Sequence, residues 1–586
     1  MQLVNLAKPG AVIQTRRMRE LPKACLLAGP LLLLSAVACQ ASVDDGLDPG
    51  TNTGTAGSGS GAGGAQNLAG SAPLPDDVQA QALLPARIRR FSNAEYQATV
   101  SQLVGAGAAE VSRDFVPDSR QSGFTVNEAQ RVDPVLAGQL AQAAQVLAAE
   151  LEPQLADKAP CADPVAGAAA CAEQFIRNFG AQAYRRPLGD DEVAQLLIVF
   201  NTAFDGGTYE EGILLVVRAM LQSAAFLYLT EIGDAQAANI KLTGYELASA
   251  ISYLVRGGPP TPGLLDLAKQ GGLDTPEGRY AAISAPALGL FEGAEARDRV
   301  VRVVREWLGI DRIADTAKDS NAYAKFAGAK SAITEETTQF LSELVAKRQG
   351  SLAQMLAADW TMANDTLADV YGVSGPGGAF QLVATPNRLG ILNQSAFLSV
   401  FAHAHESAPV LRGVAVMRRV ACAPVADPVE LPTAVVPPAP DKSKTTRERF
   451  DIHSTEGLCS SCHNQIDNFG FAFEQFDGMG AFRTVDNDRP VDSSVAIAGT
   501  DFDGAYANSN ELVRAMSTSR QVQVCFARHV FRAMAGTSAA EFSASEDDFV
   551  KYWSAKVAPE GSTDVAIIET LRNYIQNPAF AYRRAQ

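Results

Sequence analysis

A chain of 586 residues is too long for one hydrophobic core, which stops growing near ~250–300 residues, so several domains or an elongated helical assembly are expected. Hydrophobic residues at 47% and charged residues at 19% exclude a disordered chain. A formal net charge of −16 argues against general nucleic-acid binding, which needs a basic surface to meet phosphates, and leaves room for docking of a basic partner.

The N-terminus carries a basic stretch (Arg16, Arg17, Arg19, Lys23) followed by "ACLLAGPLLLLSAVAC". The apolar run has the length of a signal-peptide core and is too short to span a bilayer. It ends on Cys39 behind the small residues Ala36 and Ala38, which resembles the lipobox of bacterial lipoproteins. The expectation is a signal peptide over 1–38 and an acylated Cys39; the bland alternative is ordinary cleavage after Ala38. Gln40 is not the aspartate that retains lipoproteins at the inner membrane, so an outer-membrane lipoprotein, facing the periplasm or the cell surface, is expected.

Residues 39–85 then form a Gly/Ser/Ala-rich tether, whose "GSGSGAGG" is low complexity and not a phosphate loop, because neither strand nor helix flanks it. About 40 such residues reach roughly 35 Å. The folded body is thus expected in an oxidising compartment, where cysteines form disulfides. Six cysteines remain after Cys25 and Cys39. If Cys459 and Cys462 serve a motif of their own, four are left with three possible pairings. The preferred set is Cys161 with Cys171, closing a short loop, and Cys422 with Cys525.

The body reads as helical. Ser92/Glu95, Thr208/Glu211 and Thr243/Glu246 have capping-box spacing ahead of apolar runs of helical period, and Asp133-Pro134 is an N-cap followed by proline. Strand patterns are short: "AFQLVAT" near residue 380 and "PVDSSVAIAG" from 490 to 499. "VDNDRPVD" lacks the glycine and glutamate of a calcium loop and reads as a solvated hairpin turn. A Pro-rich spacer, "PTAVVPPAPD", precedes the segment of greatest interest.

That segment is "EGLCSSCHNQIDNFGFAFEQFD", residues 456–477. Two cysteines two residues apart, with a histidine next, have the spacing that attaches one haem covalently through its vinyl groups and ligates its iron. Cys459 and Cys462 are the expected attachment residues, and His463 the proximal iron ligand. A structural zinc site would need a further ligand pair, and a thioredoxin-like disulfide would need a βαβ context. A plain disulfide between Cys459 and Cys462 stays the main alternative. Phe469, Phe471, Phe473, Phe476 and Phe482 suit either a haem lining or an ordinary core. His403, His405 and Met479 are the distal candidates, and the residues do not choose among them or a five-coordinate iron. His453 is a candidate propionate contact, and His529 is expected on a helix surface. There is no G-x-S-x-G, Walker A or H-E-x-x-H pattern.

The chain resembles a family of secreted bacterial proteins built from consecutive domains of unknown function 1587, 1595, 1592, 1588 and 1585. "RRFSNAEYQATVSQLVG" is similar to the first, "FGAQAYRRPLGDDEVAQLLIVF" to the second and "LTGYELASAISYLVRGGPPTPGLLDLAKQGGL" to the third. "RLGILNQSAFLSVFAHAHESAPVLRG", "RRVACAPV" and the C-x-x-C-H segment resemble the fourth, and the tail around Cys525 the last. The resemblance implies helical domains over 86–160, 161–235 and 236–385, a cytochrome c-like domain over 386–500, and a helical domain over 501–586. It carries no substrate. Asn468 stands where the family has a proline, whose carbonyl in many c-type cytochromes orients the proximal imidazole.

The expected fold is therefore mainly α: an elongated multi-helical body with a small cytochrome c-like haem segment and minor β-hairpins. The expected function is an exported, membrane-anchored lipoprotein with one covalent haem c, serving one-electron transfer with an unknown redox protein partner such as a dehydrogenase that donates electrons to it. A haem peroxidase or oxidase, and a disulfide-stapled surface scaffold, are the alternatives.

Overall fold

The computed structural model describes residues 84–105, 108, 110–233, 239–347, 350–425, 441–451, 457–536 and 544–584. The chain divides into two units, Met1–Asp44 and Asp45–Gln586; the first lies wholly outside the described residues, and the second is the subject below. The expected signal peptide, Cys39, almost all of the tether, most of the Pro-rich spacer and His453 also lie outside them.

The described chain is mainly α with minor β-hairpins: its strands form two-stranded antiparallel pairs beside many helices. Local chemistry explains where helices start. Ser92, Thr208 and Thr243 each accept from the backbone N–H three residues on, while Glu95, Glu211 and Glu246 reach back to the cap N–H. Each box satisfies two amide donors that a helix start leaves unpaired. Asp133 caps Pro134–Leu151 by accepting from the Leu136 N–H alone, with the proline where no N–H is needed. The strand pattern near 380 is Gln381–Ala384, paired with Trp360–Ala363. "VDNDRPVD" is a tight hairpin, Val485–Asp486 against Arg489–Pro490, with Asn487 and Asp488 at positive φ. Both residues tolerate that region better than bulkier ones.

Two apolar clusters form. The first gathers helices Asn93–Val104, Pro134–Leu151, Ala168–Ala183, Asp190–Phe204 and Tyr209–Leu221. The second takes in Leu84 and Phe124 and then runs from Leu242 to Ala581, including the segment around the motif. Tyr253 joins them: it stacks on Phe91 at 5.0 Å, and its hydroxyl bonds Thr99 at 2.8 Å. Charge ties the first described strand to the last as well. Glu231 accepts from Arg87 at 2.8 Å and from Arg583 at 2.7 Å, linking strand Arg87–Arg90 to the C-terminal strand Tyr582–Arg584. Burial pushes its carboxyl up, but Arg583 and Arg87 outweigh that and hold it well below the usual carboxylate range.

A second buried network fixes the region that follows the motif. Glu336, on Phe326–Lys347, accepts from Thr361 at 2.7 Å and from the Tyr371 hydroxyl at 2.6 Å. Burial pushes its carboxyl up to about 7, against the downward pull of those two bonds. Arg388 lies 3.6 Å over the Tyr371 ring and 4.7 Å from the Phe476 ring, and donates to the Gly480 carbonyl at 2.7 Å.

Candidate functional site

Cys459, Cys462 and His463 share one helix, Gly457–Phe471. Its inner face carries Ile466 and Phe469, both buried, and it packs on helix Pro409–Ala415. Two glycines permit the approach. A Cβ on Gly470 would collide with the Pro409 carbonyl, and one on Gly413 with the Ile466 carbonyl. The two backbones thus touch, running antiparallel, and the motif helix has little freedom to shift. Its outer face is pinned by the strand Val495–Ile497: Asn468 Oδ1 accepts from the Ala496 N–H at 3.4 Å, and Gln465 donates to the Ala498 carbonyl at 3.3 Å.

Within this frame Cys462 is half-buried against the core, and the Cys459 side chain lies outside the described residues. His463 is partly exposed, and its Nδ1 sits 3.0 Å from Asp467 Oδ1, one helical turn on. The Asp467 side chain is buried, 2% exposed, and its Oδ2 has no hydrogen-bond partner among the described residues. Asp467 was not singled out from the sequence, although the i, i+4 spacing from His463 was there to find it. Asn468, in the place of the family's proline, spends its amide on the Asn464 carbonyl at 2.6 Å and the strand.

The distal candidates gather beyond the other end of the helix. From His463 to Phe471 is about 12 Å of helical rise. Past that end, Arg412, fully buried, donates to the carbonyls of Phe473, Phe476 and Asp477 at 3.0, 2.9 and 2.6 Å. This fixes the turn holding Met479, whose N–H bonds Asp477 Oδ1 at 2.9 Å and whose side chain is buried. His403 and His405 lie in a turn closed by the Ala402–Ser407 bridge, their rings 6.5 Å apart and nearly parallel. Ser407 donates to Glu474 at 2.9 Å, and Lys318 to the carbonyls of Ala402 and His403 at 3.0 and 2.8 Å. Burial pulls the His403 imidazole down, and burial with Arg412 nearby brings the Lys318 amine down to about 7. The structure thus brings His403, His405 and Met479 to one end of the helix and keeps the motif at the other.

Of the five phenylalanines, Phe469, Phe471, Phe473 and Phe476 are buried, with ring partners such as Phe502 and Phe397 or a covering Arg447 guanidinium. Only Phe482 is exposed, at 37%.

Both preferred disulfides are present, Cys161–Cys171 and Cys422–Cys525. The second corrects the expectation for His529. Rather than facing solvent, His529 is 8% exposed, with Nε2 3.8 Å from Cys422 Sγ and its ring 6.0 Å from Trp307. The reason is helical geometry: Cys525 and His529 are one turn apart, so the bridge that turns Cys525 inward turns His529 inward too. Burial and the neighbouring Arg532 and Arg419 pull the imidazole well below its ordinary value. Cys422, Cys525 and His529 have metal-like proximity, but both sulfurs are committed to the bridge.

Four family models match the chain in order. Residues 89–151 match Protein of unknown function (DUF1587), 171–231 match Protein of unknown function (DUF1595), 242–373 match Protein of unknown function (DUF1592), and 388–486 match Protein of unknown function (DUF1588). The chain thus belongs to the multi-domain family in which these domains follow one another. No curated protein and no solved structure matches it.

Proposed function

We propose that the protein is an exported lipoprotein carrying one covalent haem c, with Cys459 and Cys462 as attachment thiols, His463 as proximal ligand and single-electron transfer as its role. The observation that carries this reading is the pairing of the His463 ring with Asp467 directly beside the second cysteine. A histidine that ligates a metal through one ring nitrogen ordinarily gives the other to a carboxylate or carbonyl, which fixes its tautomer. With Nδ1 on Asp467, Nε2 at the far edge of the ring is the atom an iron would take. Two thiols and an imidazole on five consecutive residues of one helix suit the group. When bound, the haem supplies a one-electron couple at its iron.

The chain's own residues do the rest. Gly413 and Gly470 lock the motif helix onto its neighbour, and the Arg412 cluster holds the turn past its end. A fixed scaffold keeps structural rearrangement small when charge changes at a site. Cys39 would anchor the body through a lipid and the 39–85 tether to the outer membrane, within reach of a redox partner. The tail over 501–586 would be the fifth domain of the series. A haem peroxidase or oxidase is the second reading, favoured by the carboxylate on the proximal ring, since a more basic ligand supports iron of higher charge.

The test is an alkaline pyridine absorption spectrum of the mature chain, produced in a host that matures c-type cytochromes. A covalent haem band that vanishes in the Cys459→Ala/Cys462→Ala variant supports the proposal. A well-folded chain without the band overturns it and leaves a disulfide-stapled scaffold. Spectral change on adding cyanide or peroxide would favour the enzyme reading.

A further inference from the structure

We propose that Asp467 is the positioning residue of the proximal histidine: its carboxylate on Nδ1 orients the His463 ring, makes it a stronger donor and holds the midpoint potential of the haem low. This rests on the haem reading above and deepens it.

Three observations carry the inference. Asp467 Oδ1 lies 3.0 Å from Nδ1, one turn away on the same rigid helix, so ring and carboxylate move together. The carboxylate is buried, where an ionic hydrogen bond is stronger than in water. Its second oxygen has no hydrogen-bond partner among the described residues, so its one described hydrogen bond is to the imidazole. Glu474, equally buried, shows the contrast: it is shared by Ser407 at 2.9 Å and Arg483 at 2.8 Å, with Arg412 at 3.7 Å. There the charge is neutralised within the fold, whereas at Asp467 it is directed at the ring. Asn468 supplies no proline at this position, and its side chain is engaged elsewhere. Negative charge behind the proximal ligand favours the ferric over the ferrous state, so the potential falls.

The experiment is a spectroelectrochemical titration of the full mature holoprotein at fixed pH and salt, comparing wild type, Asp467→Asn and Asp467→Glu. Asp467→Asn keeps shape and removes charge. It is expected to raise the ferrous-to-ferric ratio at a given potential at least tenfold, an upward shift of about 59 mV for one electron. Asp467→Glu keeps the charge and is expected to stay within about threefold of wild type by the same relation. An unmoved potential in Asp467→Asn, or the same rise in both variants, overturns the proposal; the second result would assign the effect to packing. If Asp467→Asn does not accumulate, wild type alone carries the test. The paired Fe–C and C–O stretching frequencies of its ferrous carbon monoxide adduct are expected to report a stronger trans donor than a C-x-x-C-H haem peptide in water. A match to the peptide contradicts the proposal. Wild-type chain without covalent haem is a different outcome, which removes the functional reading itself.

Discussion

On helix Gly457–Phe471 a half-buried cysteine is followed directly by a partly exposed histidine whose ring faces a carboxylate; on helix Arg520–Ala535 a buried cysteine is bridged to Cys422, and the histidine one turn on faces sulfur and arginines. The residue types are the same and the surroundings opposite. A carboxylate beside an imidazole directs one nitrogen and fixes the tautomer of the ring. Burial, with arginines beside it, instead holds the His529 ring neutral, as a wedge against Trp307 and the disulfide. A cysteine and a histidine close in sequence therefore say little until the charge around the ring is known.

The contrast can be broken from the structural side first. Cys422–Cys525 spans 103 residues, and by chain-entropy arguments a loop of that size stabilises by roughly 4–5 kcal/mol. Replacing both cysteines by alanine should lower the unfolding midpoint more than any other change considered, read by denaturant titration under circular dichroism. At the other helix, Gly470→Ala drives a Cβ into the Pro409 carbonyl, which overpacking arguments put at about 3 kcal/mol, with loss of covalent haem in parallel. An alanine variant as stable as wild type would refute the backbone contact. The Cys161–Cys171 bridge spans only 10 residues, so its removal should cost about 2–3 kcal/mol and leave haem content unchanged.

The smallest effect concerns acid. His529 has its folded pKa pulled well below the ordinary 6.5, so on acidification the unfolded chain takes up a proton that the folded chain refuses. Its contribution is constant well above about 6.5 and is lost as pH falls below it. Between pH 6.5 and 5, wild type should therefore lose more stability than His529→Gln. Equal losses in the two chains would show that His529 is not held neutral.

Much of this molecule was legible in its sequence, because the signals were local. Capping boxes at Ser92, Thr208 and Thr243, the Asp133-Pro134 start and the hairpin at Asn487-Asp488 depend on residues within four positions of one another. Cysteine counting reached the bridge from Cys422 to Cys525, because chemistry leaves few pairings. What escaped depended on which way a helix faces. His529 was expected outside, since a helix of mixed composition does not announce its inner face until the disulfide fixes it. Asp467 was passed over because an acidic residue in a polar stretch reads as solvated, and its burial follows from Gly470 and Gly413 drawing two helices together. The separation of His403, His405 and Met479 from His463 likewise needed the length of the motif helix between them.

The most direct measurement is intact-mass and peptide mass spectrometry of the mature chain made in a host that attaches haem c. The account expects one haem added per chain, carried by the peptide containing Cys459 and Cys462, with Cys161–Cys171 and Cys422–Cys525 found as disulfides. A chain of unmodified mass whose Cys459 and Cys462 are bridged to each other would contradict it.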